Sequence, residues 1–289
     1  MTRQMILMVA HGSPSEAAIA QTETFRDLVA EKYPASVELC YLELNQPDLT
    51  FGLRHAAESV GKDGQVIILP LFLGAASHQK NDLPVALQWA RQTFPEVNFY
   101  TATPFEPHAN LIALLDLRLR EALASADQPL AAQDSIVLVV GRGSSDPDSN
   151  SEVSRAARLL FEKRDYQWAE YAYQAVARPT VEEGARRAIL LGAKQLIVAP
   201  YLLFTGWVEN EILTVAKAAV AESGLRIVFS KPLGAHPLLA EVALQRVEQA
   251  LNGVASMTCD LCKYRLPMNG YEHQVGQIQH SHHFKGDAH

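Results

Sequence analysis

The chain has 289 residues, 48% of them hydrophobic, and a formal net charge of −7, which is enough apolar sequence for two domains. The acidic balance argues against a nucleic-acid binder, which would carry a basic patch, and no apolar run reaches bilayer-spanning length. Three cysteines do not make a disulfide framework, and the N-terminal residues lack the blocks of a signal peptide, so a reducing cytoplasm is the expected setting.

Short runs rich in Val, Ile and Leu, bounded by Gly, Pro or Asp, predict buried parallel strands near 5–10, 37–42, 65–70 and 97–101, then near 136–140, 168–173, 195–200 and 226–230. Helical spacing predicts helices between them, near 15–33, 47–61, 79–93, 108–124, 149–163, 179–191, 208–222 and 236–251. The alternation is that of an α/β protein with a four-stranded parallel sheet in each half and helices on both faces. Residues 125–134 read as a linker. The expected organisation is therefore an N-terminal domain over 1–127, a C-terminal domain over 134–252, and a tail over 253–289 with little regular structure. The cleft is expected between the two halves, at the C-terminal ends of their strands.

The halves are repeats. I-L-M-V-A-H-G-S at 6–13 matches I-V-L-V-V-G-R-G-S at 136–144, and P-F-E-P-H-A-N-L at 104–111 matches P-L-G-A-H-P-L-L at 232–239. The offset drifts only from 131 residues (His11 to Arg142) to 128 (His108 to His236). Three chemically capable side chains differ across the repeat. His11 faces Arg142, Glu43 faces Ala175, and His78 falls near Val208 or Asn210. Scaffold residues should recur in both copies, whereas residues with a chemical job need survive in only one. His11, Glu43 and His78 each follow a strand, so the fold would gather them at one sheet edge. Two imidazoles and a carboxylate there suit a first-row divalent metal with open coordination positions. His108 and His236 persist in both copies, which points to a helix-start role. The turn 141–150 (G-R-G-S-S-D-P-D-S-N) opens a helix, with capping expected from its serines and anion contact from Arg142. Its spacing is neither a P-loop nor a dinucleotide fingerprint.

Cys259 and Cys262 form a C-x-x-C that cannot complete a four-thiolate site alone. Two chains together could, which would give an iron–sulfur cluster or zinc shared across a homodimer. Cys40 reads as buried packing. His273, His280, His282, His283 and His289 look like a metal-collecting tract.

V-A-H-G-S at 9–13, L-E-L-N-Q-P at 42–47 and P-L-F-L-G-A-A-S-H at 70–78 resemble the sirohydrochlorin chelatases, the class II chelatases of the CbiX and SirB group. In the second half, residues 141–150, 178–184 and 191–206 resemble the long, two-repeat form, and M-x-C-x-x-C at 257–262 resembles the tail of its iron–sulfur members. The resemblance implies insertion of Co²⁺ or Fe²⁺ into sirohydrochlorin, in cobalamin or siroheme synthesis. It carries two histidines and an acidic residue onto His11, His78 and Glu43. Arg142 stands where long forms often have a second histidine, so a single active site is expected. Glu43 would take pyrrole protons, and Arg54, Lys80, Arg142 and Arg178 are candidates to bind the substrate's carboxylates. Two rival readings use the same residues. A non-catalytic metal or tetrapyrrole carrier would bind without turnover. A histidine phosphatase would carry arginine where Ala10 stands.

Overall fold

The computed structural model describes residues 3–163, 165–257, 262, 264–267, 270–278, 281, 283, 284 and 286. All eight expected strands are present: β1 (Gln4–Ala10), β2 (Ser36–Tyr41), β3 (Gln65–Pro70), β4 (Asn98–Thr101), β5 (Ser135–Gly141), β6 (Trp168–Tyr173), β7 (Gln195–Pro200) and β8 (Arg226–Phe229). So are the eight helices: α1 (Glu16–Ala30), α2 (Leu49–Val60), α3 (Leu83–Thr93), α4 (Ala109–Ser125), α5 (Pro147–Glu162), α6 (Val181–Leu190), α7 (Trp207–Val220) and α8 (Pro237–Leu251). The strands form two wholly parallel sheets, in the orders β2-β1-β3-β4 and β6-β5-β7-β8. The order reverses between the first and third strands of each sheet, which places a topological switch point there, where open α/β sheets bind ligands.

The compact units do not follow the repeats. One unit comprises the residues up to Glu106 together with those from Ala235 on, and the other spans Pro107–Gly234. The compact units differ from the linear repeats, 1–127 and 134–252, by one helix each way. In the first unit, Leu7, Val9, Val66 and Ile68 pack against α2 and α3. The alternate side chains, Ile6, Met8, Ile67 and Leu69, are fully buried on the other face, which α1 and α8 cover, α8 lying against β3 and β4. In the second unit, Leu138, Val140, Leu196 and Val198 pack with α6 and α7, and α5 and α4 occupy the opposite side, α4 against β7 and β8. Each repeat's last helix therefore serves the other repeat's sheet. Nothing in hydrophobic periodicity distinguishes the two destinations, because α4 and α8 carry equivalent apolar stripes.

A buried carboxylate pins α4 within its unit. Asp116 is 6% exposed and accepts hydrogen bonds from the Tyr166 hydroxyl at 2.8 Å, Lys163 Nζ at 2.8 Å and Arg120 Nε at 3.0 Å. Burial alone would raise its pKa, but the donors from Lys163, Tyr166 and Arg120 prevail and hold it below the ordinary carboxylate value. Asp116 therefore stabilises the fold above the ordinary carboxylate range, and that stability is lost as pH falls through its depressed folded value. Asp116→Ala would orphan the buried Tyr166 hydroxyl and is expected to cost roughly 2–4 kcal/mol, read as a lowered thermal midpoint at neutral pH.

The helix starts explain the histidines kept in both repeats. His108 Nδ1 accepts from Asn110 N at 3.1 Å and His236 Nδ1 from Leu238 N at 3.2 Å, so each is the N-cap of its helix. At α5 the cap is Asp146, which accepts from Asp148 N. Ser144 only braces the turn, by accepting from Asp146 N at 3.0 Å, which corrects the expectation that serines cap this helix.

Candidate metal centre

His11 follows β1 and Glu43 follows β2, and a backbone contact draws the two turns together. Gly12 has φ +102°, and a Cβ there would meet the Glu43 carbonyl oxygen at 1.9 Å. Only glycine allows this approach. Glu43 N then donates to His11 O at 3.1 Å. The second unit repeats the device: a Cβ on Gly143 would meet the Ala175 carbonyl oxygen at 1.9 Å, and Ala175 N donates to Arg142 O at 3.1 Å. The scaffold recurs, and only the side chains it presents have changed. Glu43 Oε1 lies 3.3 Å from His11 Nδ1.

His78 opens a single five-residue π-helical turn, His78–Asp82, which leads directly into α3. Such turns are rare and concentrate at functional sites. Its i,i+4 spacing brings His78 Nδ1 to 2.8 Å from Asp82 Oδ2, and Asp82 is only 1% exposed. A buried carboxylate on Nδ1 fixes the ring's tautomer and leaves Nε2 to face a ligand, as in carboxylate–histidine–metal arrangements. The His78 ring stands edge-on to that of His11, centroid to centroid 4.8 Å. The three expected residues, His11, Glu43 and His78, thus gather at the C-terminal ends of β1, β2 and β3.

Sequence reasoning missed two members of this group. Asp82 was signalled by its four-residue spacing from His78. His283 carried no local signal beyond its place in a histidine-rich tail, read as a metal-collecting tract. His283 Nδ1 sits 2.9 Å from Glu43 Oε2, and its ring centroid is 5.0 Å from that of His78. Among the described residues, the trio whose donor atoms all lie within 4.8 Å of one another is His78, Asp82 and His283. Asp82 is better read as a support than as a ligand. Its Oδ2 is engaged by His78, and its Oδ1 accepts from Ser281 Oγ at 2.5 Å and His283 N at 3.3 Å.

Burial lowers the pKa of His11, the positive charge available to His78 lowers it further, and Glu43 only partly opposes them. The His11 side chain is still 48% exposed, so the direction reflects the crowded inner edge of the ring. A lowered value keeps the imidazole neutral, and able to bind metal, at a more acidic pH than an ordinary histidine. NMR titration of metal-free protein should place the His11 midpoint below about 6.5, and His78→Gln should move it upward. A midpoint at or above the ordinary value would contradict this electrostatic picture.

The four residues expected to bind carboxylates lie in different surroundings. Arg54, on α2, lies with its guanidinium 5.9 Å from the Trp89 ring centroid and lines a pocket with Phe51, His283 and Phe284. Lys80 is 3% exposed within the π-helical turn, which removes it from the set of surface cations. Arg178 is exposed and paired with Glu183, itself the partner in the α6 capping box. Arg142 is exposed at the end of β5 in the second unit, the place His11 holds in the first. Cys40 is fully buried. Cys262 is a free thiol, 4% exposed, so a cluster shared between chains would require it to be uncovered. Cys259, like His280, His282 and His289, lies outside the described residues. No helix among the described residues is long and apolar enough to cross a membrane.

Comparison with known proteins agrees with this fold. The family model described as CbiX matches residues 5–122 and again 136–250. A sirohydrochlorin cobaltochelatase of Priestia megaterium is 33% identical over 264 residues, covering 90% of this chain and 84% of that one. A sirohydrochlorin ferrochelatase of the same organism is 30% identical, covering 86% and 90%. Among solved structures, the sirohydrochlorin chelatase SirB from Bacillus subtilis subspecies spizizenii, in complex with cobalt, superposes with a TM-score of 0.71 at 25% identity, covering 86% of this chain and 96% of that one.

Proposed function

Since the chain belongs to the CbiX family, we propose that it is a sirohydrochlorin chelatase, inserting Co²⁺ or Fe²⁺ into the macrocycle with His11, Glu43 and His78 as its working residues. The observation that carries this reading is the convergence of His11, Glu43 and His78 at one switch point, in the only repeat that has them. The neutral imidazoles of His11 and His78 hold the cation while it sheds water, His78 through the nitrogen that Asp82 leaves open. Insertion releases two pyrrole protons as the dication enters, so charge is conserved. Glu43, an acceptor when ionised, receives those protons one at a time and passes them to solvent across its 29%-exposed side chain. Arg54 and Arg142 offer charge to the substrate's carboxylates. Cys259 and Cys262 are assigned to a separate iron–sulfur or zinc site, outside the insertion chemistry, through which two chains could pair.

The test is an anaerobic optical titration of sirohydrochlorin with Co²⁺ or Fe²⁺ at catalytic enzyme concentration. A multiple-turnover spectral shift is expected. A change that stops at one equivalent per chain would mark a carrier instead.

A further inference from the structure

The residues around Asp82 make a latch that the chemistry above does not use. Ser281 Oγ donates to Asp82 Oδ1 and accepts from Phe284 N at 2.6 Å and His283 N at 3.2 Å. This knots the chain into a tight turn over the π-helical segment. Phe284 packs edge-on against Trp89, centroid to centroid 5.5 Å, and joins the apolar cluster beneath α2 and α3. Gly286 lies so close to Trp89 that a Cβ would meet the ring at 3.2 Å. Further back, the Tyr264 hydroxyl bonds to Asn81, the residue before Asp82. These contacts deliver one side chain to the centre, His283, between Glu43 and His78.

We propose that the C-terminal segment is a strap that supplies His283 as a further ligand of the substrate cation, latched by the buried carboxylate of Asp82. The inference rests on the assignment of His11, Glu43 and His78 as the metal site. Three imidazoles and a carboxylate crowd together here. They form a coherent donor set when the rings are neutral and a divalent cation sits among them. Asp82 then has two tasks: one oxygen orients His78, and the other docks the turn that carries His283. The other ligands stand on the sheet edge and the helical turn, whereas His283 stands on a segment held by side-chain contacts. It is therefore the ligand of this set that the sheet itself does not fix.

The experiment is Co²⁺ binding to the full chain without sirohydrochlorin, followed by the cobalt visible absorption, in wild type, His283→Ala, His11→Ala and the double variant. His273→Ala, at an exposed position, controls for weak binding by tail histidines. His283→Ala should weaken binding about tenfold or more and alter the cobalt spectrum, as expected for loss of a ligand or its close support. It should have little further effect in the His11→Ala background, because ligands of one ion are coupled. Ser281→Ala should reproduce part of the loss. His283→Ala binding like wild type while His11→Ala binds weakly would overturn the strap and leave the proposed function standing. An equal loss in both backgrounds would place His283 in a separate tail site and also overturn it. Unchanged binding in His11→Ala would instead strike the underlying metal-site assignment.

Discussion

His11→Ala is expected to abolish metal insertion, with a loss of at least about 100-fold, while the protein stays folded. The scale follows from metal sites generally, where removing even an outer partner of a ligand costs 10- to 100-fold in affinity or activity. The fold should tolerate the change because His11 lies just beyond β1 with half its side chain in solvent, and exposed substitutions of this kind usually stay within about 0.5 kcal/mol. Its backbone, not its ring, makes the hydrogen bond that joins the turns after β1 and β2. The check has two parts, an unchanged thermal midpoint and the absence of turnover in the sirohydrochlorin titration. Retained metallation by a folded variant would remove His11 from the working residues. A variant that loses both activity and stability would show that the ring packs more than its exposure implies.

The sequence carried the elements and the centre's framework because both rest on local rules. Strands buried on both faces write themselves as continuous Val, Ile and Leu, and every expected strand and helix is present. Duplication did the rest: Gly12 and Gly143 mark a close approach used twice, whereas His11, Glu43 and His78 mark what one copy alone retains. What stayed hidden depends on long-range choice. His283 reaches Glu43 from 240 positions away, and the Ser281 hydroxyl that anchors it is one serine among many. Nothing in the spacing of Lys80 reveals that a π-helical turn buries it. The ion pair of Arg178 likewise depends on the capping box of α6, which places Glu183 beside it.

The exchange of α4 and α8 leads to the largest expected effect on stability. Cutting the chain at the linker to leave residues 1–127 keeps the whole first repeat, every strand of its sheet and all three of its expected metal-site residues. A reading from the repeat alone would expect a folded domain. The packing says otherwise. Leu239, Ala240, Val242, Ala243, Val247 and Ala250 of α8 are buried within the first unit, and the fragment lacks them all. The three larger aliphatics alone, at about 1.5–3 kcal/mol each, rival the whole net stability of an ordinary domain, about 5–15 kcal/mol. Without α8, the Ile67 and Leu69 face of β3 also meets water. The fragment retains α4, however, whose Leu111, Leu114, Leu115 and Leu119 are buried in the full chain and which begins with the same histidine cap as α8. Two fragments can satisfy both requirements by each lending α4 to the other's sheet, the helix exchange that the duplicated chain performs within itself. Residues 1–127 should therefore be monomeric and poorly folded at low concentration and gain cooperative structure only as a dimer, with a thermal midpoint that rises with concentration. Sedimentation and thermal unfolding across a concentration series decide it. A fragment that unfolds cooperatively as a monomer, at a midpoint independent of concentration, would show that α4 can cover its own sheet and that the exchange is not required for the fold.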